Sequence, residues 1–92
     1  MKTTFGFIIT KPGGGTSALH KTIDSPFAIY EGMAIYDDGW ENAKAVTNVS
    51  FTIEQNLQDS CLNVELENET ARDAKDQQSL VDNYKDYGWT EI

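Results

Sequence analysis

Ser25-Pro26-Phe27-Ala28-Ile29-Tyr30-Glu31-Gly32-Met33-Ala34-Ile35-Tyr36-Asp37-Asp38-Gly39-Trp40 is the stretch on which the fold turns. Read as a helix, it starts well: Ser25 accepts an orphan backbone N–H and Pro26 already has the φ of a first helical position. Ile29, Met33, Tyr36 and Trp40 then recur at helical spacing on one apolar stripe, and Gly39 closes the last turn. A second reading stays open. Gly32 interrupts the segment, and Ala28-Ile29-Tyr30 with Ala34-Ile35-Tyr36 form two short strands turning at Glu31-Gly32, which moves the helix to Trp40–Val46.

Upstream, Phe5, Phe7 and Ile9 share one pleat face in Thr4–Thr10, the period of a half-buried strand. Lys11-Pro12-Gly13-Gly14-Gly15-Thr16 ends it, since proline removes a ladder donor and three glycines accept any turn; Ala18–Ile23 returns as the hairpin partner. Downstream, Val49, Phe51 and Ile53 alternate with Ser50, Thr52 and Glu54, and Leu62, Val64 and Leu66 alternate with Asn63, Glu65 and Glu67. With Asn56–Ser60 as the loop, these form a second antiparallel hairpin with one apolar and one wet face. Thr70 and Asp73 resemble a capping box, opening a helix over Ala71–Tyr87 whose stripe is Ala74, Val81, Tyr84 and Gly88, flanked by Leu80 and Tyr87. The expectation is a single α+β domain over residues 1–92: a small antiparallel sheet of about four strands in two hairpins, covered by one or two helices in the order ββαββα.

The 92 residues carry a formal net charge of −8, unevenly spread. The first 23 contain three lysines and no acid; the remaining 69 contain fifteen acids and four bases. Such polarity implies one surface that approaches phosphates and another that approaches basic protein. No apolar run reaches the ~20 residues of a membrane span, and the acidic balance disfavours anionic lipid. The lone Cys61 and the lack of a basic-then-apolar leader imply an intracellular home and silent glycosylation sequons at Asn48 and Asn68.

Catalytic chemistry is not expected. His20 is the single histidine, which excludes a histidine metal cluster and leaves any nucleophile–base pair to tertiary accident. Gly13-Gly14-Gly15-Thr16 lacks the lysine and following helix of a phosphate-binding P-loop, so it reads as a hairpin tip. Asp37-Asp38-Gly39 lacks the ligand spacing of a calcium loop and reads as a solvated helix end. The densest acid run is Glu65, Glu67, Glu69, Asp73 and Asp76, either a wet face or a patch that pairs with basic groups. Tyr84, Tyr87 and Trp89 read as core and helix-end packing, or as an exposed anchor. No metal, cofactor or small-molecule substrate is implied.

From Met1-Lys2-Thr3-Thr4-Phe5-Gly6-Phe7-Ile8-Ile9-Thr10 through Asp86-Tyr87-Gly88-Trp89, the chain resembles the small phage-encoded anti-CRISPR proteins directed at the type I-F surveillance complex. The resemblance implies a stoichiometric inhibitor, not an enzyme, acting in the cytoplasm of the infected bacterial host. It would dock on host Cas proteins of the RNA-guided complex and stop target DNA from being captured. Charge then suggests the contacts: Glu65, Glu67 and Glu69 against a basic protein groove, and Lys11, Lys21 and the Gly13, Gly14, Gly15 tip against the guide-RNA backbone. The competing reading is a phage structural or assembly protein that forms a homo-oligomer through an exposed strand edge or aromatic patch.

Overall fold

The computed structural model describes residues 2–25, 28–53 and 60–92. Its elements are β1 (Lys2–Thr10), β2 (Thr16–Asp24), β3 (Ala34–Ile35), β4 (Lys44–Thr52), β5 (Cys61–Leu66), β6 (Glu69–Thr70), α1 (Ala74–Lys85) and β7 (Thr90–Glu91). Seven strands form one curled, mixed half-barrel in the order β3-β4-β5-β1-β2-β7, with β6 also on β1. The expected four-strand ββαββα domain is therefore wrong: sheet dominates, and one short helix covers it.

The first hairpin follows the alternation of its sequence. β1 and β2 pair antiparallel from Lys2↔Asp24 to Thr10↔Thr16, and Phe5, Phe7, Ile9 and Leu19 face the core. β5 lies on the other side of β1 and runs parallel to it, Thr3↔Leu62 through Gly6↔Glu65, which makes the sheet mixed rather than antiparallel. β4 and β5 do pair antiparallel, with a bulge between Val46 and Asn48. The apolar face expected along β4 is only partly covered, because Phe51 is 47% and Ile53 74% exposed. Glu54 and the expected loop at 56–59 lie outside the described residues.

The deciding stretch is not a helix. Gly32 takes a φ of 86°, Met33 N–H bonds to the Tyr30 carbonyl, and the turn expected by the second reading at Glu31-Gly32 is present. Among its described residues only Ala34–Ile35 becomes a strand, and of Trp40–Val46, the helix of that reading, the last three residues already belong to β4. Ile29, Met33 and Trp40, three of the four stripe residues, still pack on the core, joined by Ile35, which the stripe left out, but the backbone that delivers them is not a helix. Tyr36, assigned to the same stripe, is 80% exposed. Pro26, the expected first helical position, lies outside the described residues.

α1 begins one turn later than the expected cap. Thr70 is used in β6 opposite Thr10, and Ala71 N–H bonds to the Thr10 carbonyl, so the helix cannot start there. Asp73 is the N-cap, accepting from Asp76 N–H at 2.8 Å, while the Asp76 carboxylate accepts from Arg72 N–H at 2.9 Å. Gly88, with φ 94°, ends the last turn as expected, and Trp89 N–H returns to the Tyr84 carbonyl. The buried stripe is Gln77, Val81 and Tyr84; Ala74, expected on it, is exposed.

Candidate functional site

The glycine hairpin, β2, β5 and the 67–70 segment after it hold the residues singled out by charge. At the tip, Gly13, Gly14 and Gly15 all take φ between 86° and 91°, a region that side chains rarely adopt, and residues 12–16 are exposed. Lys11 folds back toward Gly15, where an added Cβ would meet its Cε at 3.1 Å. No ion pair holds Lys11 among the described residues. Gln77 anchors the hairpin base, its Nε2 donating to the Ile9 carbonyl at 2.9 Å and to the Gly15 carbonyl at 3.4 Å. Sequence reading missed Gln77, although it stands one helical turn before Val81 on the buried stripe.

Lys21 is not part of that tip. Its register opposite Phe5 turns it to the core side of β2. Its ammonium donates to Asp37 Oδ2 at 2.8 Å and to the Tyr87 carbonyl at 2.7 Å, 5.7 Å from the Trp89 ring centre. Partial burial pushes the Asp37 carboxyl up, but the Lys21 hydrogen bond and the Gly39 amide outweigh it and hold the group below its ordinary 3.8. Trp89 Nε1 is buried without a hydrogen-bond partner. Asp37-Asp38-Gly39 is thus a turn that ties β2 to the end of α1, not a helix end.

The three glutamates expected on one wet face point three ways. Glu65 is exposed on β5, beside Gly6 and opposite Asn48. Glu67 exchanges bonds with β4: its N–H donates to the Ala45 carbonyl at 3.0 Å and its Oε1 accepts from Ala45 N–H at 2.9 Å. Between β5 and β6 the register on β1 slips from Gly6↔Glu65 to Ile9↔Glu69, four residues against three. One extra residue reverses the face of all that follows, so Glu69 turns inward beside the core-facing Ile9.

There Glu69 joins the floor of a polar cleft of about 500 Å³ between the 39–44 loop, the 67–70 segment and α1. Lys44 Nζ lies 3.2 Å from Glu69 Oε2, and the Lys44 side chain is only 10% exposed. Its ammonium sits 4.7 Å from the Phe7 ring centre and 5.4 Å from that of Trp40. Tyr84 O–H donates to the Glu69 carboxylate, 2.7 Å from each oxygen. Burial first, then the hydrogen bond to Glu69 and its charge, push the Tyr84 phenol well above its ordinary 10.0, so it remains a donor.

Beneath this network Phe7 is the hub of an aromatic cluster, meeting Trp40, Tyr84 and Trp89 edge-on at 5.6, 5.6 and 4.9 Å. Tyr84 and Trp89 are therefore core, whereas Tyr87 is 44% exposed and stacks its ring against Gly39. The cleft can accept hydrogen-bond donors or cationic groups through its acids. Among the described residues no group of three or more His, Cys, Asp or Glu side chains is placed to hold a metal, and no helix is long and apolar enough to cross a membrane. Cys61 is half-buried with Sγ 3.3 Å from Thr4 Oγ1, and His20 is half-buried opposite Gly6. No family model, curated protein or solved structure matches this chain.

Proposed function

We propose that the chain is a phage-encoded anti-CRISPR inhibitor that binds the type I-F RNA-guided surveillance complex in the host cytoplasm and blocks target-DNA binding without catalysis. The carrying observation is where the charge remains after folding. Lys21 and Lys44 are held in partly buried ion pairs, and Arg72 and Lys85 pair within the chain while remaining on the surface at 87% and 45% exposure; Glu65, Glu67, Asp73, Asp82 and Asp86 are also exposed. Each pair also uses one acid (Asp37, Glu69, Asp76, Glu91), so the net charge stays −8, carried by eleven acids against three bases outside these pairs, and it suits the lysine-lined channel in which such a complex receives DNA.

The two-pole picture narrows accordingly. Lys21 and Glu69 serve the fold and Glu67 Oε1 is engaged by the Ala45 amide, which leaves Glu65 and the other Glu67 oxygen for the basic groove and Lys11 with the exposed Gly13–Gly15 tip for guide-RNA phosphates. The test is target-DNA binding by the purified surveillance complex with increasing amounts of the protein. Loss of binding near equimolar inhibitor is expected; unaltered DNA binding at saturation refutes the reading.

A further inference from the structure

β4 has one covered edge and one that is mostly bare. β5 pairs with it from Val46 to Thr52, but on the opposite side β3 pairs only with Ala45 and Lys44. Two further bonds, Gly32 N–H to the Val46 carbonyl and Val46 N–H to the Met33 carbonyl, end that contact, and the turn at residues 30–33 carries the chain away. Among the described residues no strand pairs with Thr47–Thr52 on this side. Alternate residues along it present unpaired backbone N–H and C=O groups, the condition for strand addition.

Natural edges carry safeguards against pairing: charges, proline, inward-pointing lysines. Only Lys44, inward-pointing at the β3-covered start of β4, is of this kind. Ala45-Val46-Thr47-Asn48-Val49-Ser50-Phe51-Thr52-Ile53 is nine residues with no charge and no proline in a chain of net charge −8. Exposed apolar groups lie near both ends of this strand. Phe51 and Ile53 stand at 47% and 74% exposure at the end of β4, and Tyr30 and Tyr36, at 63% and 80%, bracket β3.

We propose that this edge is a homodimer interface, in which β4 pairs antiparallel with β4 of a second copy about a two-fold axis at Ser50. The charge pattern selects the occupant. Nothing on the edge attracts a basic or acidic partner, and two strongly acidic bodies would meet here through nine residues that carry no charge. A strand pairing with itself antiparallel closes after two copies. Centred on Ser50, the register sets Val49 against Phe51 of the second copy on the apolar face, twice by symmetry. Asn48 meets Thr52 of the second copy on the polar face. The two Ser50 side chains face one another with Cβ atoms about 5 Å apart.

Sedimentation equilibrium of the purified chain, from dilute to concentrated and without any surveillance complex, tests this independently of the inhibitory reading. The apparent mass should rise from one chain to two and stop there. Amide hydrogen exchange across Asn48–Thr52 should show alternate amides, those facing β5, protected at every concentration, and the others protected only as dimer fills. Ser50 is exposed, so Ser50→Lys and Ser50→Glu should leave the monomer's circular dichroism unchanged while each weakens association about tenfold or more, because like charges then stand opposite. A single-chain mass at all concentrations, growth beyond two copies, or a dimer indifferent to either substitution overturns the proposal.

Discussion

Replacing Glu69 by Gln removes one charge from the Lys44–Glu69–Tyr84 network and strands the other. Across the 3.2 Å between Lys44 Nζ and Glu69 Oε2, attraction at an effective dielectric of about 20 amounts to about 5 kcal/mol. Part of this is offset: the Glu69 side chain is 26% exposed, and the Phe7 and Trp40 rings stay beneath the ammonium. The net cost of Glu69→Gln is then about 3 kcal/mol, near the low end for breaking a buried pair. For a domain of this size that lowers Tm by about 12–24 °C. Thermal and urea unfolding followed by tryptophan fluorescence report it directly, since Trp40 lies beside the pair. Lys44→Met with Glu69→Gln should recover most of the loss, because no unpaired charge remains buried, and the cycle should give a coupling energy of about 2 kcal/mol. A coupling below about 0.5 kcal/mol would refute the claim that these two charges depend on one another.

Other perturbations separate structural from docking roles. Asp37 is held below 3.8 in the folded chain, so its bond to Lys21 contributes stability present above the unfolded value and lost as pH falls through the lower folded one. Asp37→Asn should therefore destabilise near neutral pH, with the gap to the parent closing in acid below about pH 4; urea midpoints across a pH series measure it. Gly14→Ala meets no atom within 4 Å but must adopt a φ of 91°, so it should cost about 1–2 kcal/mol by chemical denaturation, with no cost marking a different tip. Glu65→Lys with Glu67→Lys and, separately, Lys11→Glu should weaken binding to the surveillance complex in titrations. Lys21→Glu should instead fail in the unfolding assay, where intact stability would show that its ties to Asp37 and Tyr87 are dispensable. Gln77→Leu leaves the Ile9 carbonyl without its side-chain donor and should cost about 1–3 kcal/mol in the same assay.

Local periodicity was the reliable guide where a strand's alternation or a helix's stripe was complete. Phe5, Phe7 and Ile9, Val64 and Leu66, and Val81 and Tyr84 are buried as their spacing implies. It misled at Ile29, Met33, Tyr36 and Trp40, because helical spacing lists which residues reach the core without stating the backbone path, and Gly32 permits a turn where a helix loses little by breaking. The expected common face of the acids broke for a related reason. Alternation put Glu65, Glu67 and Glu69 on one face, and a single extra residue beside β1 sent the last one inward to Lys44 and Tyr84.

From the order of residues alone came the strongly acidic balance, the glycine tip, the first hairpin, the terminal helix and its closing glycine, since each depends on side chains or dihedrals within a few positions of one another. Tertiary structure decided the parallel pairing of β5 with β1, the inward turn of Glu69, the capture of Lys21 by Asp37 and the bare edge of β4. Those depend on register between segments tens of residues apart, where a shift of one position exchanges inside for outside and no nearby residue records the choice.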